Sequence, residues 1–149
     1  VNNAINNVSG INNNEKNVAK RYPVSAINIS IAKKITDIFI VMKFKTPYAE
    51  GTQQYKDQNQ VNAFRHAMWN ALSTQYVGSA KIKIFTDAHE EFNDINKMDL
   101  FNNQAGRSVG EENMFANPYT VADLIIEKIK QGNLHVEIMD YDPFQKGIK

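Results

Sequence analysis

Apolar residues recur every three or four positions along most of the chain, which is the spacing of one face of an α-helix. Proline or glycine stands at the ends of several of these stretches, as is common where helices begin and end. The pattern predicts an all-α fold, a single compact domain of about five helices. The predicted helices are residues 24–44, 60–76, 79–92, 97–109 and 119–130.

The buried face of each predicted helix follows from the same spacing. The first helix is expected to bury Ile27, Ile31, Ile35, Ile38, Phe39 and Met42, although its β-branched residues would also suit a strand. The second has an apolar stripe of Phe64, Ala67, Met68, Ala71 and Leu72. Leu100 and Phe101 are expected to pack inward from the fourth, and Val121, Leu124, Ile125 and Ile129 from the last.

The two ends of the chain have a different character. Residues 1–21 are rich in Asn and lack the basic and apolar regions of a signal peptide, so we expect a flexible lead-in before a helical domain over residues 22–149. Such a start suits a module at the end of a longer secreted or delivered chain. Residues 134–144 could form a short strand or an extended arm.

Composition and charge exclude several classes of protein. No window has the 18 or so apolar residues of a membrane span, so we expect a soluble domain. The chain has no Cys, which excludes thiol nucleophiles, thiolate zinc sites and iron–sulfur clusters. Net charge is +1. Residues 1–60 carry eight Lys/Arg against four Asp/Glu, so this half could meet phosphates or could present solvated helix faces.

Polar residues concentrate in the 46 residues from Asn62 to Arg107. Asn62, Arg65, His66, Trp69 and Asn70 share one side of the second predicted helix. These groups need hydrogen-bonding partners if they are buried. A catalytic histidine and a hydrogen-bonded core histidine are both consistent with His66.

The next two predicted helices supply further acid–base groups. His89 and Glu90 end the third helix, where either could act as general base or metal ligand, or could belong to a solvated acidic end. Asp99, Asn103 and Arg107 recur every four residues on the fourth helix, with Asn102 and Gly106 adjacent. An Asp–Arg ion pair with Asn caps is the structural alternative. Gly106 would permit close approach of a helix or a ligand.

Several known motifs are absent. His-Glu-Phe lacks the second histidine of the H-E-x-x-H zinc motif, because position 93 is Asn93. The sequence also lacks a nucleophile elbow and a glycine-rich phosphate loop. What remains is a polar site between the central helices, with Arg65, His66, His89, Glu90, Asp99, Asn103 and Arg107 as candidate catalytic residues. Asn62, Trp69 and Asn102 are candidate substrate-binding residues.

The blocks NAFRHAMWNAL, FTDAHE and MDLFNNQAGR occur in this order over residues 62–107. Together they resemble a helical domain found at the C-terminal ends of large secreted bacterial proteins, including wall-associated and polymorphic-toxin-like chains. That pattern usually has Asp directly before Ala-Phe-Arg-His, where this chain has Asn62. The resemblance implies a polar site and a toxin or effector context, without naming a substrate. An immunity protein could be a partner in that context.

Two functions from different classes are consistent with these residues. The first is a hydrolase acting on a phosphate ester, either nucleic acid or phospholipid, because two arginines accompany the acid–base groups. A divalent metal held by His66, His89 and carboxylates would be a variant of it. The second is a non-catalytic module whose polar core fixes helix packing and docks an immunity or carrier protein.

Overall fold

The structure, a computed structural model, describes residues 5, 10–44, 60–90 and 97–136. This part of the chain contains six α-helices and no strand, so the predicted all-α fold is confirmed. The helices are α1 (Asn13–Arg21), α2 (Pro23–Phe44), α3 (Gln60–Val77), α4 (Ser79–Glu90), α5 (Lys97–Glu112) and α6 (Pro118–Lys130).

Helix α1 lies within the segment that we expected to be a flexible lead-in, so that expectation does not hold for residues 13–21. A capping box begins the helix. The Asn12 side chain accepts a hydrogen bond from the Glu15 backbone N–H at 2.8 Å, and Glu15 accepts one from the Asn12 N–H at 2.6 Å. Two otherwise unpaired N–H groups are satisfied in this way, and this stabilises a short helix that is rich in Asn.

Several of the other helices begin or end at the proline and glycine residues that predicted their ends. Pro23 is the first residue of α2, and Gly78, at φ +85°, directly follows α3. Gly132, at φ +72°, follows α6. The Gly132 N–H donates to Ile129 and the Asn133 N–H to Lys128, which are the two bonds of a Schellman motif.

Helix α3 is the centre of the fold, since α2, α4, α5 and α6 all pack against it. Its predicted apolar stripe is buried, and so are His66, Asn70 and Ser73 on the opposite side. One apolar core joins α2, α3, α5 and α6, and a second joins α1, α2 and α4. Trp69 packs against both cores.

The predicted buried face of α2 is largely wrong. Ile27, Ile31, Ile38 and Met42 are between 44% and 59% exposed. The buried residues are Ile29, Ala32, Thr36, Phe39, Ile40 and Phe44. The helix is apolar on nearly every side, so spacing alone could not identify which side meets α3.

Helix α5 also has its faces exchanged relative to the prediction. Leu100 and Phe101 are 38% and 51% exposed, while Asn102 and Asn103 are buried. The buried face of this helix combines Met98 and Val109, which join the apolar core, with Asn102 and Asn103. Asn103 lies on the part that meets the polar side of α3. In α6, Leu124 is 37% exposed, whereas Val121, Ile125 and Ile129 are buried as expected.

Glycines allow α5 to lie directly against the backbone of α3. A Cβ added at Gly106 would overlap the carbonyl oxygen of Ala67, and one at Gly110 would lie 2.5 Å from that of Ala71. The predicted close approach at Gly106 is therefore an approach to a helix. It brings the polar sides of α3 and α5 within hydrogen-bonding distance.

None of the described helices is both long enough and apolar enough to cross a membrane. Residues 134–136 are not in a strand, and the rest of the segment expected to be a strand or arm lies outside the described residues. The last two residues predicted for α4, residues 91–92, also lie outside them.

Candidate functional site

His66 is the central residue of the polar contact between α3 and α5. It is 5% exposed, and both ring nitrogens have polar neighbours. Nδ1 lies 2.9 Å from Asn103 Oδ1. Nε2 lies 3.0 Å from Arg65 Nη2 and 3.2 Å from Asp99 Oδ1. The spacing of four between Asp99 and Asn103 places both side chains against one histidine.

A chain of hydrogen bonds behind His66 determines which ring nitrogen carries the proton. Arg107 Nη1 donates to Asn70 Oδ1 at 3.3 Å, which leaves the Asn70 amide nitrogen to donate to Asn103 Oδ1 at 2.8 Å. The same amide nitrogen donates to the His66 carbonyl at 3.0 Å. Asn103 therefore presents its amide oxygen to His66 Nδ1, and because this oxygen can only accept a hydrogen bond, Nδ1–H must donate it. We assign the Nδ1–H tautomer to His66.

This tautomer leaves a lone pair on Nε2, which accepts from Arg65. The other proton of Arg65 Nη2 goes to Asn62 Oδ1 at 2.5 Å, and Asn62 Nδ2 donates to Asp99 Oδ1 at 3.0 Å. Asn62 therefore bridges a cation and an anion, which an Asp at this position could not do. Asp99 is placed to stabilise a proton that arrives on Nε2.

The pKa of His66 is lowered from 6.5 to about 3. The main cause is burial, which disfavours the charged imidazolium; the positive charge of Arg65 lowers the pKa as well, and the Asn103 hydrogen bond raises it. His66 is therefore neutral at pH 7, and its 3.2 Å contact with Asp99 is not an ion pair in that state. A neutral imidazole with a lone pair is the form a general base needs.

Arg107 stands behind the histidine and contacts it only through Asn70 and Asn103. Burial lowers the pKa of Arg107, while Asp87 and Glu111 act in the opposite direction. A guanidinium stays protonated in proteins, so Arg107 remains a hydrogen-bond donor. Asn103 and Arg107, two predicted catalytic residues, are in positions that orient His66.

A cavity of about 650 Å³ reaches the polar site from the side of α1, α2 and α4. Its size lies within the range of roughly 300–1,000 Å³ usual for small-molecule sites. Most of the described lining is apolar, including Ala26, Ile27, Ile29, Trp69 and Phe85. The polar side chains in the described wall are Glu15, Ser30, Lys33, Thr36, Arg65, His66 and His89.

His89 shares this cavity with His66 but has a different partner. Its Nδ1 lies 2.8 Å from Glu15 Oε1 on α1. The Asn12 side chain donates to the Ala88 carbonyl at 3.0 Å, which fixes the start of α1 against the end of α4. The structure thus has two histidine–carboxylate pairs, His66–Asp99 and His89–Glu15, where we expected a single cluster. His66, His89 and Glu15 line the cavity.

A metal site would need several His, Asp or Glu ligands around one point, and the described residues include no group of three or more arranged in this way. His66 contacts Asp99, and His89 contacts Glu15 on a different helix. The described side chains therefore do not fit the metal-dependent variant.

Of the remaining candidate residues, Trp69, Asn102 and Glu90, the first two differ in where they lie relative to the cavity. The indole N–H of Trp69 donates to the Ile29 carbonyl at 3.2 Å, and its ring lines the cavity. Asn102 is fully buried, and its amide bonds the N–H and the carbonyl of His135 at 2.9 and 2.8 Å. We therefore assign Asn102 to packing and not to substrate binding. The side chain of Glu90 lies outside the described part of the structure.

Two residues of the site were missing from the sequence-based candidate set. Asn70 was visible as a neighbour of His66 at a spacing of four, but nothing in the sequence indicated that it relays orientation from Arg107. Glu15 lies in the segment treated as a lead-in. The Asn-x-x-Glu spacing of Asn12 and Glu15 is a capping-box signal that could have identified a helix there.

Comparisons with known proteins give a family and no function. No curated protein and no solved structure matches the chain significantly. One family model matches residues 29–133, which is more than half of the chain and includes His66, His89 and Asp99. The chain therefore belongs to the family described as a domain of unknown function, DUF6973.

Proposed function

We propose that this protein is a hydrolase of phosphate esters whose general base is His66. The observation that carries the proposal is the state of this histidine: a neutral imidazole, fixed as the Nδ1–H tautomer, in the wall of a large cavity. A histidine used only for packing needs neither an arginine on its lone pair nor access to a cavity. Arg65 meets both the lone pair and the cavity.

In this proposal Arg65 moves its hydrogen bond from His66 Nε2 to a phosphoryl oxygen of the substrate. The freed lone pair of Nε2 then takes a proton from water. The resulting hydroxide attacks phosphorus, a new P–O bond forms, and the ester P–O bond breaks. The imidazolium then returns its proton to the leaving oxygen. While it is charged, the ring is stabilised by Asp99 at Nε2 and by Asn103 at Nδ1, at 3.2 and 2.9 Å.

The low pKa of His66 suits an anionic substrate. The charge of Arg65 is one of the causes that lower this pKa. A phosphate bound to Arg65 would neutralise that charge, so the pKa of His66 would rise towards the working pH when substrate is present. The contact between the phosphate and Arg65 would then both bind the substrate and make His66 a stronger base.

The activity test uses the purified 149-residue protein with nucleic acids and with phospholipid vesicles. We expect His66→Gln to lower the rate by about 100-fold or more, since general-base catalysis contributes about 10²–10⁴-fold. His135→Gln is the matched control, because His135 does not line the cavity. The hydrolase proposal fails if no substrate is cleaved, or if His66→Gln keeps the wild-type rate while folded.

A second function is supported by the burial of the network. Asn70 and Asn103 are 0% and 2% exposed, and together with His66 they join α3 to α5. Such a network would suit a non-catalytic module that docks an immunity or carrier protein. Under that alternative, His66→Gln would lower the free energy of unfolding by about 1–3 kcal/mol without removing any activity.

The toxin or effector context remains a proposal that rests on the sequence blocks of residues 62–107. In that context the domain would be delivered by a longer secreted chain, and an immunity protein would cover the cavity. Expression in a bacterial host tests it: we expect growth arrest with wild type and growth with folded His66→Gln. Equal growth of the two strains would contradict the effector proposal.

A further inference from the structure

The cavity beside His66 has two kinds of wall. Most of its described surface comes from apolar side chains of α1, α2, α3 and α4, including Ile27, Ile29, Trp69 and Phe85. The cationic side chains of the described wall are Arg65 on α3 and Lys33 on α2, and Lys33 is in an ion pair with Asp37 at 3.3 Å. The carboxylate of Glu15 in the same wall is held by His89 and by the N–H of Asn12. A ligand that fits both walls has a long apolar part and an anionic group.

We propose that this cavity binds one acyl chain of a phospholipid, with the phosphate of the lipid against Arg65. The headgroup assignment rests on the proposed hydrolase function, whereas the chain assignment follows from the cavity. Burial of an acyl chain against apolar side chains is favourable in proportion to the buried area. The phosphate would meet the guanidinium that already contacts His66 Nε2 at 3.0 Å.

Nucleic acid fits this site less well. Binding of a polynucleotide depends on several cationic contacts to phosphates along an open groove, with aromatic faces for its bases. The described cavity wall offers two cationic side chains, and its aromatic residues Trp69 and Phe85 lie among aliphatic ones such as Ile11, Ile27 and Ile29. This is fewer cationic contacts than a polynucleotide backbone requires. Nucleic acid therefore fits this cavity less well than a phospholipid does.

The test measures binding without turnover. The probes are single-chain alkylphosphonates of increasing length, each below its critical micelle concentration, because a C–P bond is not a substrate for the proposed chemistry. We expect affinity for the wild-type chain to rise about fourfold per added methylene until the cavity is full. An affinity that does not depend on chain length would overturn the acyl-chain assignment.

A matched pair of variants on α2 locates the binding site. Ile27 and Ile38 are 56% and 59% exposed, but only Ile27 is part of the described cavity wall. We expect Ile27→Asp to weaken binding by at least about tenfold, because a carboxylate disfavours both the chain and the phosphonate. Ile38→Asp should stay within about twofold of wild type. Ala26→Phe places a larger side chain in the cavity from the same helix, so it should also weaken binding of the probe.

The outcomes separate this assignment from the hydrolase proposal. Chain-dependent binding without cleavage of any phospholipid or nucleic acid would support the cavity assignment and refute the hydrolase. Cleavage of nucleic acid alone, or displacement of the probe by a short oligonucleotide, would overturn the lipid assignment and leave the hydrolase standing. Equal affinities of Ile27→Asp and Ile38→Asp would place the probe elsewhere and overturn the assignment.

Discussion

A histidine that is 5% exposed and contacts a polar group at each ring nitrogen has little freedom to rotate or to change tautomer. His66 is in this situation because α3 and α5 each provide residues at a spacing of four. Asn70 and Asn103 define the proton position, and Arg65 and Asp99 surround the lone pair. The chemical character of the site therefore depends on a few amide and guanidinium groups.

The first prediction concerns stability at acidic pH. The pKa of His66 is about 3 in the folded protein, below the value of 6.5 for an ordinary histidine. The unfolded chain therefore binds this proton first, and stability is lost as pH falls from 6.5 towards 3. Between pH 7 and pH 5, wild type should lose about 2 kcal/mol more than His66→Gln in urea unfolding.

Asn103→Asp provides the control for this pH dependence. A carboxylate at Nδ1 favours the imidazolium and raises the pKa of His66. The extra loss of stability between pH 7 and pH 5 should then be smaller than in wild type. If wild type and His66→Gln lose stability equally over this range, His66 is not held neutral and the assigned state is wrong.

A second prediction concerns Asn62, where the resembling sequences usually have Asp. Asn62→Asp would put a second carboxylate where Nδ2 now lies, 3.0 Å from Asp99 Oδ1. Two close carboxylates repel, so we expect a loss of about 1–3 kcal/mol at pH 7 by urea unfolding. Repulsion raises the pKa of one carboxyl above its unfolded value, so this deficit should shrink as pH falls towards 5.

Asn62→Ala distinguishes repulsion from loss of the amide. It removes the hydrogen bonds of Asn62 to Arg65 and Asp99 without adding a charge, so its deficit relative to wild type should not shrink on acidification. A constant deficit for Asn62→Asp between pH 7 and pH 5 would show that the two carboxylates do not interact.

At the scale of elements, the contact between α3 and α5 decides the geometry of the site. Gly106→Ala should gain up to about 1 kcal/mol in helix propensity. The new Cβ overlaps the Ala67 backbone, however, and overpacking costs about 1–3 kcal/mol or more. We expect a net loss of at least about 1 kcal/mol, measured by urea unfolding, as α5 moves away from α3.

The matched control for this prediction is Gln104→Ala on the same helix. Gln104 is exposed, so its replacement should change stability by no more than about 0.5 kcal/mol. If Gly106→Ala is as stable as wild type, the two helices are further apart than the structure shows.

The positions of α2 to α6 were predicted well from sequence, but the buried faces of α2 and α5 were not. The starts and ends of α2, α3 and α6 follow Pro23, Gly78 and Gly132, which act locally. The face of α2 could not be predicted because the helix is apolar on nearly all sides. The part of α5 that meets the polar side of α3 is itself polar, so a rule that buries apolar residues selects the wrong side there, with Leu100 and Phe101.

At the scale of the whole molecule, the sequence predicted which residues form the polar site better than it predicted which of them contact one another. Arg65, His66, Asp99, Asn103 and Arg107 do meet, because helical spacing and the glycines of α5 bring them together. His89 instead pairs with Glu15, which is 74 residues away along the chain. That pairing depends on how α1 packs against α4, and no local pattern encodes it. The cavity likewise results from the packing of four helices.

We infer that this packing holds His66 as a neutral imidazole whose Nε2 carries no proton and accepts a hydrogen bond from Arg65. Long-range ¹H–¹⁵N correlation spectra of the histidine rings measure this directly, since protonated and bare ring nitrogens resonate far apart. From pH 8 to pH 5 we predict a protonated Nδ1 and a bare Nε2 for His66, with the signal assigned by its absence in His66→Gln. A proton on Nε2, or an imidazolium that forms near pH 6.5, would contradict the account.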